Sequence, residues 1–561
     1  MFLSTQSLAK PVTALALLLA LALQVTSASA ESLNPLQSSN NAQSPNGPHH
    51  QPISQPAPAK AYTPFGQHQD QCPAGGCEFR DNVLLVKLKD TPDTAVKSQL
   101  SQKERTQAQK TLIRNALQDL PIGRIDRVFQ QTEPAAENRT LQTPNGEWLT
   151  VPDLTLWHRI ELDANALDKD SPWLQQPKTG DGQTRMATQT IDLAAVIKDL
   201  QSRTDIDYAE PEYVYRLNAV SQYQPLNTPP VPGDFYSDPD IGQQWHFDAA
   251  AIPEAWDFLD QQGLPSGGSS DIIVAVIDTG VDYTHPDLIN SMWVNPGEFN
   301  TSNNSDSDGN SYRDDIHGAK VISGSLSGDP MDDHGHGTHV AGIIAAQGNN
   351  AEGGVGVAPN VKIMAIKAAQ YSGILNATDV ARGIEYAMDN GADVINMSFG
   401  SYAQSQLIED ALANAYGTAI LVAAAGNDGR ANLSCDPLIY PNRANMYPAA
   451  YNWVIGVMAQ NSIPDANGDR LAGFSNFDCR TKDGSEYEVM APGVGIYSTL
   501  PFDGYGAWSG TSMATPVVAG VAALARTYWS DKSQYSSRFI MGQVVATGPM
   551  LQAHTHPLAG S

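Results

Sequence analysis

Three side chains in this sequence, Asp278, His336 and Ser512, are of the types that together make a serine nucleophilic. A serine hydroxyl attacks a carbonyl only when a base takes its proton. Imidazole does this near neutral pH if a carboxylate fixes its tautomer and stabilises the cation that forms. Asp278 begins Asp278-Thr279-Gly280 directly after the apolar run 272–277, while His336 and Ser512 each open a helical stretch. Another chemically loaded segment, Gly426-Asn427-Asp428-Gly429, follows the apolar run 419–425.

Other chemistries fit these residues less well. A paired-aspartate mechanism needs two carboxylates in matching sites, and Asp-Thr-Gly occurs once. His334, His336 and His339 have glycines between them rather than the spacing of a zinc helix. Gly510-Thr511-Ser512-Met513-Ala514 half-matches a lipase-type nucleophile elbow, with His554 and His556 downstream. That elbow needs an apolar strand directly before the serine, and 504–509 does not read as one.

The elements around these residues alternate. Short apolar runs at 272–277, 361–366, 392–397, 419–425 and 454–458 are separated by helical stretches at 336–346, 379–388, 407–415 and 512–526. Such runs predict parallel strands buried on both faces, an α/β fold with helices flanking the sheet. Functional groups in that architecture sit just past the carboxyl ends of strands, where Asp278 and Asn427 fall.

The segments Val276-Ile277-Asp278-Thr279-Gly280-Val281, His336-Gly337-Thr338-His339-Val340-Ala341-Gly342 and Gly510-Thr511-Ser512-Met513-Ala514-Thr515-Pro516 resemble the three signature blocks of the subtilisin-like serine proteases. The resemblance runs from about residue 244 to about 547. It implies that Ser512 is the nucleophile, His336 the base, Asp278 the orienting carboxylate and Asn427 the side-chain donor to the oxyanion, with His339 structural. Substrates in that family bind as an extended strand, so the resemblance implies protein or peptide substrates lying along Ser398, Phe399 and Gly400, with 373–375 as the opposite edge. Gly426 and the alanines before it then line the primary pocket, which Ser401 alters at its mouth and Met446 shortens. The competing class is a catalytically inactive exported binding protein on the same fold. The intact set Asp278, His336, Asn427 and Ser512 argues against it.

Upstream, Lys10, an apolar run at 12–25 and Ala28-Ser29-Ala30 form a cleavable export signal over residues 1–30. The run is shorter than the ~20 residues of a spanning helix, so no membrane anchor is expected, and the protein is expected to be extracellular or periplasmic. Residues 31–80 are poor in aliphatic side chains and read as a linker. Residues 81–217 read as a small α+β module, with strands near 83–88, 157–161 and 208–217 and helices near 106–117 and 191–201. Through Asp205-Ile206-Asp207-Tyr208-Ala209-Glu210-Pro211-Glu212-Tyr213 the module resembles the family's inhibitory propeptide, which implies an intramolecular inhibitor, with 130–187 as an insertion. A proline-rich processing linker at 218–240 precedes the catalytic domain, 241–561, which the resemblance implies to be truncated at its C-terminus.

Sixty acidic against 33 basic residues give a net charge of −27, which disfavours nucleic acid as a partner. Four cysteines fit an oxidising compartment, and their positions suggest the pairs Cys72 with Cys77 and Cys435 with Cys479. Structural calcium is expected at two places. Asn304, Asp306, Asp308 and Asp315 fall near the positions of a calcium-loop template, for which a solvated acidic loop is the competing reading. Asp287 with Asn349 matches a family calcium site by resemblance.

Overall fold

The computed structural model describes residues 77–547 apart from single positions and the segments 90–101, 130–139, 143–147, 168–170, 175–190, 220–236, 299–303, 323–326, 465–469 and 480–486. The export signal, Cys72 and most of both linkers therefore lie outside the described residues. Among the described residues no helix is long and apolar enough to cross a membrane.

The N-terminal unit contains β1 (Phe79–Leu88), α1 (Gln102–Ala116), β2 (Ile122–Arg127), β3 (Trp157–Leu162), α2 (Leu193–Gln201) and β4 (Ile206–Leu217). Its antiparallel sheet has the order β4-β1-β3-β2. β1 begins at Phe79, inside the expected linker, and β3 lies in the stretch read as an insertion yet sits in the middle of the sheet. The alternation of β1 explains its double burial: Leu84 and Val86 join the core under α1 and α2, while Leu85 points the other way into the core of the following domain.

That following domain opens with α3 (Ile252–Gln261) and then runs β5 (Ile273–Asp278), β6 (Gly318–Lys320), α4 (His336–Ala345), β7 (Lys362–Lys367), β8 (Ile374–Asn376), α5 (Ala377–Asp389), β9 (Val394–Met397), β10 (Phe399–Gly400) and α6 (Gln406–Ala415). It continues through β11 (Ile420–Ala424), β12 (Ile455–Gln460), β13 (Val489–Pro492), β14 (Ile496–Leu500), β15 (Gly504–Trp508), α7 (Thr511–Tyr528) and α8 (Ser537–Thr547). The seven-stranded sheet β13-β12-β11-β9-β5-β7-β6 is parallel throughout, as the buried apolar runs predict. Residues 504–508 do form a strand, but as an antiparallel hairpin with β14 outside the main sheet and not as the buried apolar strand that a nucleophile elbow needs. Every second residue from Gly504 to Trp508 is glycine or partly exposed, so the segment carries no apolar signature.

α4 and α7 pack on the sheet side by side. Small residues permit this. A Cβ on Gly337 would lie 2.0 Å from the carbonyl oxygen of Gly280, so only glycine lets α4 approach the strand end that carries Asp278.

The two units dock through β4, α5 and α6. Glu210 accepts hydrogen bonds from Ser405 Oγ (2.8 Å) and the backbone N–H groups of Gln406 (3.0 Å) and Leu407 (3.2 Å), the unsatisfied donors at the start of α6. Burial pushes the Glu210 carboxyl up to about 7. Glu212 likewise accepts from Thr378 Oγ1 at the start of α5 and pairs with Arg159. Asp410 on α6 accepts from Lys87 Nζ and Trp157 Nε1, each at 2.8 Å.

Candidate active site

Asp278 ends β5 and His336 begins α4, directly after Gly335 at φ 103°. His336 Nδ1 lies 2.7 Å and 2.9 Å from the two carboxylate oxygens of Asp278, and both side chains are fully buried. This pairing fixes the tautomer with the proton on Nδ1, leaving Nε2 as the basic atom. Nε2 is buried without a hydrogen-bond partner. Burial holds His339 down at about 3, and its ring stacks on Trp508 with a centroid distance of 5.1 Å. It is a packing residue.

Ser512 lies in the first turn of α7. Its hydroxyl donates to the carbonyl oxygen of Ser398 (2.8 Å), not to His336. Proline at 516 cannot donate back to Ser512 O, and that freed carbonyl accepts from Ser398 Oγ at 3.0 Å. The strand end at Ser398 is thereby tied to the backbone of Ser512.

Asn427 follows β11. Its Oδ1 accepts from Thr511 N (2.9 Å) and Thr511 Oγ1 (2.9 Å), which forces Nδ2 outward. Nδ2 and Ser512 N–H (3.1 Å) both donate to one acceptor, the backbone carbonyl of Asn218. A carbonyl held by two converging donors is the arrangement that stabilises a developing oxyanion.

Asn218 arrives there because β4 adds as an antiparallel strand between two edges. Arg216 pairs with Ile374 on one side and Gly400 on the other, and Leu217 pairs with Phe399. Asn218 N–H donates to Ser398 O at 3.3 Å. The expected edges at 398–400 and 373–375 are thus brought together around one extended segment. Gly426, at φ 104°, lies in the wall beside Met446 and Asn476.

Asn476 was not foreseen from the sequence. It is fully buried, donates to Ala425 O (2.8 Å) and accepts from Asp428 N (3.2 Å) and Arg430 N (2.9 Å), clasping the loop that carries Asn427 from both ends. The disulfide Cys435–Cys479 closes the same pair of loops, and Cys77 is also disulfide-bonded.

The acidic residues group differently from the template. Asp308 and Asp315 come together with Glu298, their ligand-type oxygens all within 4.8 Å of one another. Asp306 is not part of that group. Asp306 accepts from Gly309 N (2.7 Å) and Ser311 N (2.9 Å), and Asn304 N–H donates to Asp314 Oδ2 (2.7 Å). A short-range turn consumes both oxygens of Asp306, and among the described residues no helix flanks the loop. Asp315 Oδ1 is buried without a partner and burial raises this carboxyl, so the three-carboxylate cluster fits a hard cation. At the second place the pairing shifts by one residue: Asn350 Nδ2 donates to Asp287 Oδ1 (2.8 Å), while Asn349 Oδ1 accepts from Ser237 N (3.0 Å). Asp287 is pushed up to about 7, chiefly by burial.

A parallel sheet that mounts a carboxylate, an imidazole, a serine and an asparagine donor at its carboxyl edge defines a serine-hydrolase scaffold. Residues 269–543 match the subtilase family. The chain is 37% identical over 331 residues to a thermophilic serine proteinase of Bacillus sp. strain AK1, covering 59% of this chain and 65% of that one. It is 40% identical over 256 residues to subtilisin DY of Bacillus licheniformis, covering 46% and 76%, and 37% identical over 279 residues to a subtilisin of Bacillus pumilus, covering 49% and 85%. The chain belongs to the subtilase family.

Proposed function

We propose that this chain is the autoprocessed precursor of an exported serine endopeptidase that cleaves protein substrates through an acyl-enzyme. Ser512 is the nucleophile, His336 the general base, Asp278 the orienting carboxylate and Asn427 an oxyanion donor. Residues 1–30 direct export and 81–217 form an inhibitory propeptide. The observation that carries this reading is the carbonyl of Asn218 held jointly by Ser512 N–H and Asn427 Nδ2. For reaction, Ser512 Oγ leaves Ser398 O and turns to His336 Nε2, which takes its proton as the carbonyl carbon is attacked. Asp278 stabilises the imidazolium, and the two donors receive the negative oxygen. A serine-directed phosphonylating reagent tests the assignment: it should modify Ser512 alone and stop hydrolysis of unfolded casein. Modification elsewhere, or full activity after Ser512 is labelled, would overturn it.

Calcium belongs to the same reading as a structural ion, held by Glu298, Asp308 and Asp315. Ions that bind only the folded chain stabilise it by mass action. Chelation should therefore lower the melting temperature and hasten self-digestion, with calcium restoring both better than magnesium, and Asp315→Asn should blunt the response. An unchanged melting temperature in protein shown to have lost its metal would make the cluster plain acidic surface.

A further inference from the structure

The strand that occupies the cleft has a definite register. Tyr215, Arg216 and Leu217 lie between the two edges, and Asn218 is the residue whose carbonyl meets both oxyanion donors. Among the described residues only one peptide bond is presented in this way. The Asn218 side chain enters a cavity whose lining includes Gly400, Ser401, Asn427 and Met446. It is nearly buried, and its Nδ2 has no hydrogen-bond partner there. No hydrogen bond reads that Nδ2 group there, which leaves the size of the cavity to select among side chains.

Met446 sets the shape. A Cβ on Gly400 would lie 2.6 Å from Met446 Sδ, and a Cβ on Gly426 would lie 2.6 Å from Met446 Cε. The thioether therefore spans the space between the two glycine walls, where a longer substrate side chain would extend. It is itself 4% exposed, and its backbone N–H is anchored by Tyr487 Oη at 2.8 Å.

The geometry points to Asn218–Ala219 as the bond this enzyme cuts in its own chain, and to Met446 as the residue that limits the primary pocket to short side chains. This rests on the endopeptidase reading above. In the first step the Ser512 Oγ–carbonyl bond forms, the Oγ proton passes to His336 Nε2 and then to the nitrogen of Ala219, and the C–N bond breaks. Water then hydrolyses the ester, giving an Asn218 carboxylate, a new amine at Ala219 and the free serine. No other reactant is required.

The test has two arms. Intact mass and N-terminal sequencing of the full chain after maturation should give Ala219 as the new N-terminus, with Asn218 ending the released unit. A first cut at any other bond that still depends on Ser512 would overturn the register while leaving the endopeptidase reading standing. In the second arm, peptides differing only before the scissile bond are compared. Asn and Ala should exceed Phe in kcat/KM by about tenfold or more, the scale on which pockets discriminate by size. Met446→Gly should move the Phe-to-Ala ratio up by at least about tenfold. A wild-type preference for Phe, or a ratio unmoved by the substitution, would remove Met446 from this role. The wild-type ranking decides the matter even if M446G fails to fold. If no peptide is cut at all, the endopeptidase reading falls together with this one.

Discussion

Ser512→Ala is expected to yield a folded chain that stays uncut at Asn218–Ala219 and has lost about 10⁶-fold in kcat, a magnitude taken from subtilisin itself. The fold should tolerate the change because the hydroxyl donates one hydrogen bond, to Ser398 O, and that oxygen keeps the N–H of Asn218. Loss of such a bond costs only about 1 kcal/mol. The loss in rate is of a different order because alanine leaves no hydroxyl at this position to attack the carbonyl. Gel analysis of the purified chain and a casein assay read both outcomes together. A processed Ser512→Ala chain, purified from a host without other proteases, would sink intramolecular cleavage.

The parallel sheet was legible because five of its strands fall on short, predominantly apolar runs, a pattern that burial on both faces demands. β6 and β13 were not legible. Gly318–Lys320 is three residues long and ends in lysine, and Val489–Pro492 is short and closes on proline. β3 was read as a strand-like piece but assigned to an insertion, since nothing in Trp157–Leu162 announces that it will pair with both β1 and β2. Asp278, His336, Asn427 and Ser512 stood out because their neighbours, above all the glycines, are dictated by close backbone approach. Asn476, Glu298, Glu210 and Asn218 carry no such local mark. Each acts through a partner distant in sequence, from about ten residues for Glu298 to about two hundred for Glu210 and Asn218, and the only hint for Asn218 was its place directly after the strand pattern at 208–217. The acidic loop misled for a related reason: the template counted oxygens along the chain, whereas Asp306 spends both of its oxygens on its own turn.

Removing the side-chain donor should separate stability from chemistry more finely than removing the nucleophile. Asn427→Leu leaves Ser512 N–H as the remaining donor to the carbonyl and should lower kcat by about 10²- to 10³-fold with KM little changed, a range again taken from subtilisin. The leucine also strips an acceptor from Thr511, whose N–H and Oγ–H both point at Asn427 Oδ1. Some loss of stability would therefore accompany the loss of rate and blur its origin. Asn427→Asp removes the ambiguity, because a carboxylate keeps the acceptor for Thr511 and abolishes only the donor. It also sets a negative charge against the developing oxyanion, so its kcat should fall at least as far as that of the leucine variant. Its melting temperature, with the loop still clasped by Asn476, should stay nearer to wild type. Steady-state kinetics and thermal unfolding of the two variants therefore give opposite rankings if Asn427 works as an oxyanion donor. If kcat tracked melting temperature across both, the residue would be a loop brace and no more.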